Sequence, residues 1–199
     1  MGSLLGLSRA AGATVRELGL DSGRFGRGIR VGSVSAAAIG TGITAAMLLP
    51  AGRRYFAGGA PGTTSKRRMA YDTVIRIPWM TAAFEEVAFR GVLYGLLEHR
   101  FSRGVALAGS TVGFALWHVL PALPGAGGVQ DSWDAPHPAL AVLGSVAVTG
   151  AAGLAFGLLR SNTGSVLAPF LAHSATNVGG YTAAVAARAV EQRSAPACP

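Results

Sequence analysis

Apolar residues gather in five long blocks along the chain, at 32–51, 71–97, 104–123, 139–159 and 164–187, and the stretches between them collect most of the arginines. Each block approaches or exceeds the roughly 20 residues that cross a bilayer as a helix. Nothing in the chain shows the alternating pattern of about ten residues that builds a membrane barrel, and backbone polar groups in lipid must be satisfied within their own segment. The pattern therefore predicts an all-α fold, a polytopic transmembrane helical bundle with about five spans.

Composition supports this reading. Half of the 199 residues are hydrophobic and 13% are charged, where a soluble domain carries about a quarter charged. The net charge of +8 comes from sixteen arginines and one lysine that lie mostly beside or between the apolar blocks. No basic stripe interleaved with aromatics appears, so no nucleic-acid partner is expected. The partners implied are the lipid bilayer and whatever the bundle acts on within it. The dominance of arginine, alanine and glycine suggests a GC-rich bacterial genome, which makes a multi-pass protein of the bacterial inner (plasma) membrane the working expectation. A single cysteine, Cys198, excludes an internal disulfide and a cysteine-only metal site, and it stands too close to the end to form a C-a-a-X box.

Three parts are expected: an amphipathic or interfacial N-terminal segment at 1–31, a membrane-embedded domain at 32–188 and a C-terminal tail at 189–199. The first holds Arg9, Arg16, Arg24, Arg27 and Arg30, and its apolar run at 3–7 is too short for the core of a secretory signal. Loop charges set an orientation. The loop 124–138 lacks Lys and Arg and carries Asp131 and Asp134, so it is expected outside, whereas Arg100, Arg103 and Arg160 mark cytoplasmic turns. Counting back puts 52–70 outside as well, although it holds Arg53, Arg54, Lys66, Arg67 and Arg68. A break of the 71–97 segment at Pro78, or its incomplete crossing, would reconcile the two.

Charged side chains inside the blocks are the candidates for chemistry, because burying an ionised group at bilayer depth costs at least about 2.5 to 3.5 kcal/mol. In EEVAFR, Glu86 and Arg90 stand one helical turn apart and can pair, while Glu85 points to a neighbouring direction and needs another partner or a proton. That leaves Glu85 suited to general base work. Phe114 and His118 share a helix face in FALWH, and the His118 imidazole could reach Glu85 if the two helices pack. In HSATN, His173 and Asn177 are again one turn apart, following Pro169, which starts or bends a helix. Blander readings exist for each: a packing ion pair, or interhelical hydrogen bonds worth about 0.6 kcal/mol apiece. His99 and His137 have no evident partner, and Glu98 is expected among solvated headgroups. Gly109 with Gly113, and Gly153 with Gly157, have the small-xxx-small spacing of close helix contacts.

The ordered trio Glu-Glu-x-x-x-Arg, Phe-x-x-x-His and His-x-x-x-Asn, each in its own apolar block, resembles the CPBP family of intramembrane proteases. That group includes type II CAAX prenyl endopeptidases and bacteriocin-processing or immunity proteins. Glu85, Glu86 and Arg90 match its first motif, Phe114 and His118 its second, and His173 and Asn177 its third, over about residues 72–182. The resemblance implies an intramembrane endopeptidase in which Glu85 and His118 activate a water, and His173 and Asn177 bind the oxyanion or position the water. Glu86, Arg90 and Phe114 would support the site. Relatives commonly carry further spans ahead of the first motif, whereas one clear span precedes it here.

No metal or other cofactor is called for by this resemblance. Zinc held by Glu85, His118 and His173 is the mechanistic rival, though no His-Glu-x-x-His helix is present. A catalytically idle membrane scaffold or immunity-type binder is the alternative function, and a proton-coupled transporter a third. The substrate expected is a membrane-associated peptide or protein.

Overall fold

The computed structural model describes residues 2–59, 64–123 and 138–194. The expectations for His137, Cys198 and the acidic loop with Asp131 and Asp134 fall outside the described residues. All regular structure within them is helical.

Helix α1, Gly2–Ala10, leads into a turn built on a reciprocal cap. The Thr14 backbone N–H donates to the Glu17 carboxylate at 2.7 Å, and the Glu17 N–H donates back to the Thr14 hydroxyl at 3.1 Å, the Thr-x-x-Glu capping box. Helix α2, Phe25–Leu48, follows and begins ahead of the apolar block at 32. Proline at the first position of α3, Pro50–Gly58, forces Leu49 into extended backbone and ends α2. Arg53 turns back to donate to the Met47 and Leu48 carbonyls, two of the acceptors that a helix end leaves unpaired.

One continuous helix, α4, then runs over 66–100. Its N-terminal residues Lys66–Tyr71 are α-helical and capped by the Ser65 side chain, which accepts from the Arg68 N–H. It widens into π-helical turns over Asp72–Ala82, tightens at Ala83–Glu86, widens again over Val87–Leu93 and ends as α-helix at Tyr94–Arg100. Pro78 therefore does not break the segment, as the loop charges had suggested. The wider turns hydrogen-bond five residues back, as when the Ala83 N–H donates to the Pro78 carbonyl, and the proline is taken into the rod. Helix α5, Arg103–Trp117, is capped by Ser102. Helices α6, Pro138–Thr163, and α7, Leu167–Ser194, complete the bundle, with Pro169 tolerated in the first turn of α7.

Three stretches are long and apolar enough to cross a membrane: Ser22–Leu48, Arg103–Ala122 and Ala139–Thr163. Helices α4 and α7 are as long but carry the charged and polar residues of the candidate motifs. Large apolar side chains lie on the outside, and the charged residues of the motifs lie within. Val34, Val112, Leu116, Leu143 and Val148 are exposed, whereas Glu85, Glu86, Arg90 and His173 are buried. That is the distribution a lipid solvent favours.

Close helix contacts follow the glycines. A Cβ on Gly32 of α2 would lie 3.0 Å from the Ala168 carbonyl oxygen of α7. Gly109 and Gly113 of α5 lie against Leu97 and Leu93 of α4, and Gly157 of α6 against Leu107 of α5. The N-terminal segment folds back onto the bundle: Ala13 and Leu18 form a core with Val92, flanked by Leu4, Leu5, Leu20 and Leu96. Gly95 lets the chain approach so closely that a Cβ there would meet the Glu17 carbonyl oxygen at 2.7 Å.

Arg160, expected in a cytoplasmic turn, is instead 3% exposed. Its guanidinium donates to the Arg90 carbonyl at 3.0 Å and the Glu17 carbonyl at 2.6 Å, and lies 5.0 Å over the Tyr94 ring. It ties α6, the N-terminal turn and α4 together. His99 also has a partner after all, the Glu17 carboxylate at 2.9 Å. Glu98 accepts from the Tyr94 hydroxyl at 3.5 Å.

Candidate active site

The two π-helical stretches flank Ala83–Glu86, so the paired glutamates sit in a short α-helical turn between widened ones. Extra residues per turn rotate the flanking side chains away from their α-helical directions, and π-turns of this kind gather at functional sites. Glu85 is 7% exposed, Glu86 1% and Arg90 0%.

Glu86 is the hub. Its Oε1 accepts from the Arg90 guanidinium at 2.9 Å and from His173 Nδ1 at 2.8 Å. A carboxylate held by an arginine can only accept, so His173 Nδ1 carries the proton it shares with Glu86, and Nε2 is turned to the other side. There it faces Glu85, whose Oε2 lies 3.7 Å away. That distance exceeds a direct hydrogen bond and suits two atoms sharing one water. Glu85 Oε2 has no hydrogen-bond partner among the described residues. Glu86 is paired with Arg90, and Glu85 makes no ion pair with an arginine among the described residues.

Arg90 is held through both terminal nitrogens, while its Nε makes no hydrogen bond among the described residues. A second guanidinium nitrogen donates to the Gly153 carbonyl of α6 at 3.1 Å, and the group lies 4.1 Å over the Phe114 ring and 5.4 Å from that of Phe156. These rings also frame the histidines. Phe156 stacks on His173 at 4.9 Å with an interplanar angle of 20°, and Phe114 meets His173 edge-on at 5.8 Å and His118 at a 58° tilt at 4.6 Å.

His118 stands differently from its expectation. It makes no ion-pair contact with either glutamate, and the imidazole that reaches Glu85 is His173. His118 closes α5, and its Nδ1 donates to the Phe114 carbonyl of its own helix at 2.8 Å. A carbonyl only accepts, so in the neutral ring Nε2 is left as the basic nitrogen. His118 joins the cluster through the Phe114 ring. Asn177 follows His173 by one turn of α7, is half-buried, and makes no hydrogen bond among the described residues. Glu85, His118 and His173 are not gathered as a metal-ligand group among those residues.

Four residues that bear on the cluster carry no motif. Phe156 gives no signal in an apolar run, and Gly153 suggested only helix contact. At the far end of the same helix pair, Asp72 is buried and accepts from Arg68 at 2.9 Å, from Arg76 and from the Tyr181 hydroxyl at 3.2 Å. Tyr181 lies one turn beyond Asn177 on α7, so His173, Asn177 and Tyr181 form one stripe facing α4. With Glu86 touching His173 and Asp72 touching Tyr181, α4 and α7 run antiparallel and are pinned at two levels. The spacing from Asp72 to Arg68 and Arg76, one α-helical turn in each direction, was a signal the sequence offered.

The family model described as type II CAAX prenyl endopeptidase Rce1-like matches residues 70–179, more than half of the chain and all three motifs. No significant match to a curated protein or to a solved structure accompanies it.

Proposed function

The chain belongs to the Rce1-like family of type II CAAX prenyl endopeptidases, and on that footing we propose that it hydrolyses a peptide bond of a membrane-associated protein or peptide with a water activated by Glu85. The observation that carries this reading is the asymmetry of the two buried glutamates. Glu86 has its Oε1 engaged by both Arg90 and His173, with its Oε2 unpartnered, while Glu85 makes no such bond through Oε2, which faces His173 Nε2 at 3.7 Å. One carboxylate braces and the other is free to take a proton.

In this scheme Glu85 accepts a proton from water as its oxygen attacks the peptide carbonyl carbon. The carbonyl π bond opens to a tetrahedral oxyanion. As the C–N bond breaks, Glu85 returns the proton to the departing amine nitrogen, and the other fragment leaves as a carboxylic acid. A placed base contributes about 10²- to 10⁴-fold. His118 Nε2 is the second acceptor we assign to the water, reached as the substrate closes the site, because separations in unliganded sites shorten in the reacting complex. The Asn177 amide is assigned to the oxyanion, where one donor is worth about 10²- to 10³-fold, and His173 Nε2, the ring nitrogen that accepts, is assigned to positioning the water. Arg90, Phe114 and Phe156 hold His173 and Glu86 in place. The reading makes the chain a glutamate-dependent peptidase of a bacterial plasma membrane.

The experiment is cleavage of a library of membrane-tethered peptides by the purified protein in proteoliposomes, for wild type, His118→Ala and Asn177→Ala, before and after exhaustive chelation. Wild type should cleave with or without chelator, and each variant should lose about 10²-fold or more. Absence of cleavage by wild type over the whole library would favour an idle scaffold, and loss of activity on chelation would favour the metal mechanism.

A further inference from the structure

The basic residues that disturbed the orientation count are gathered by the fold at one end of α4. Lys66, Arg67 and Arg68 stand in its first turn, and Arg76 reaches the same level from two turns on, because it and Arg68 converge on Asp72 from opposite sides. Asp72 neutralises only one of these four cations. It takes one hydrogen bond from the Nε of each arginine, which orients both groups and leaves their outer N–H donors directed elsewhere. The hydrogen bond that Arg68 donates to Asp72 also raises the pKa of Arg68 above an already high value. Arg67 is exposed and has no partner among the described residues.

Arg67 and Arg68 line an open recess of about 290 Å³ together with Ser65 and Tyr71. Its floor is aromatic, with the Arg68 guanidinium 5.9 Å from the Tyr71 ring. From the recess, Tyr71 runs along the helix and its hydroxyl meets Met80 Sδ at 3.6 Å. Beyond it, Val74, Ile75, Trp79 and Met80 are exposed, between 47% and 64%. A cationic recess thus passes without interruption into an apolar stripe on the outside of a membrane-spanning bundle.

We propose that this is a binding site for an anionic phospholipid, with the headgroup phosphate in the recess against Arg67, Arg68 and Ser65, and an acyl chain along Tyr71, Ile75 and Met80. Charge and shape select this occupant. A free anion would use the recess and leave the apolar stripe idle, and a zwitterionic lipid would bring a choline cation to a cluster of net positive charge. Clusters of basic residues at the edge of a membrane segment are a recurrent recognition device for anionic lipids, at about fivefold in affinity for each Lys or Arg near the surface. Arg68 of the site reaches Tyr181, two turns of α7 from His173, through Asp72, so a bound lipid would brace the α4–α7 contact at the end remote from the glutamates.

The test is native mass spectrometry and thermal unfolding of the purified full chain with phosphatidylglycerol, phosphatidylcholine or inorganic phosphate added. Phosphatidylglycerol should be retained and protective, in a manner that weakens with salt, and the other two should not. Arg67→Gln should weaken retention by about fivefold, and Arg67→Gln with Arg68→Gln by about thirtyfold. Arg27→Gln, an exposed change elsewhere, should have no effect. Arg67 is exposed and makes no hydrogen bond or ion pair among the described residues, so its single variant reads binding with little risk to the fold. Equal protection by phosphatidylcholine, equal protection by inorganic phosphate, or unchanged retention by Arg67→Gln would each overturn the proposal.

Discussion

Replacing Arg90 with methionine is the most informative single perturbation of the bundle. The change keeps an unbranched, apolar side chain but removes the ion pair to Glu86 at 2.9 Å, the hydrogen bond to the Gly153 carbonyl at 3.1 Å and the cation over Phe114 at 4.1 Å. Glu86, 1% exposed, is then left with His173 as its single partner. Breaking a buried pair in this way costs about 3–5 kcal/mol, because the surviving charge has no compensation. Removing both partners is cheaper. Arg90→Met with Glu86→Leu leaves no buried charge from the pair, only the unpaired His173 N–H, at about 1–3 kcal/mol, since the Gly153 carbonyl lies mid-helix in α6. The double variant should therefore be more stable than Arg90→Met alone, and it should be inactive because His173 loses its Glu86 anchor. Reversible unfolding in bicelles measures the cycle. A loss below about 1 kcal/mol for Arg90→Met, or a double variant as unstable as the sum of the singles, would refute the claim that Arg90 neutralises Glu86.

Gly32→Val should destabilise by about 1–3 kcal/mol, since its Cβ meets the Ala168 backbone; an unchanged unfolding midpoint would deny the close α2–α7 contact. Phe156→Leu keeps an apolar filler but removes the ring stacked on His173, so kcat should fall about tenfold or more with little change in stability; full activity would show that the stack orients nothing. Glu17 gives a pH dependence. The Thr14 backbone N–H first, then His99 and the Thr14 hydroxyl, lower its pKa from 4.5 to about 2. A group depressed on folding stabilises above its unfolded pKa, so the N-terminal turn should be firm above about pH 4.5 and loosen as pH falls toward 2. Hydrogen exchange of residues 14–20 should follow that acid limb in wild type and lose it in Glu17→Gln.

The all-helical bundle was legible because apolar blocks of bilayer length allow little else, and the Glu86–Arg90 pair because one α-helical turn separates them. The partner of Glu85 was less so. Helix α4 is widened by π-turns on both sides of the glutamates, which shifts the direction of every side chain beyond them, and α5 ends at His118 with its ring turned to its own backbone. Phase arguments from an ideal helix cannot foresee either event, and the imidazole beside Glu85 turned out to be His173. Phe156 lay hidden for a different reason: an aromatic in an apolar run carries no periodic mark. The burial of Arg160 was not legible either, because a charge near the end of a span reads as the mark of a turn, whereas here two backbone carbonyls and the Tyr94 ring receive it inside the protein. Asp72 stood at the edge of its block, where an acid flanked by arginines passes for solvated charge.

The central claim is the unequal division of labour between Glu85 and Glu86, and the measurement that tests it most directly is kcat in proteoliposomes for Glu85→Gln beside the unfolding free energy of the same variant. Glutamine keeps the shape and cannot take a proton. The account predicts a fall in kcat of about 10²-fold or more with stability close to wild type, and for Glu86→Gln a marked loss of stability. A Glu85→Gln protein that cleaves within about threefold of wild type would contradict the account.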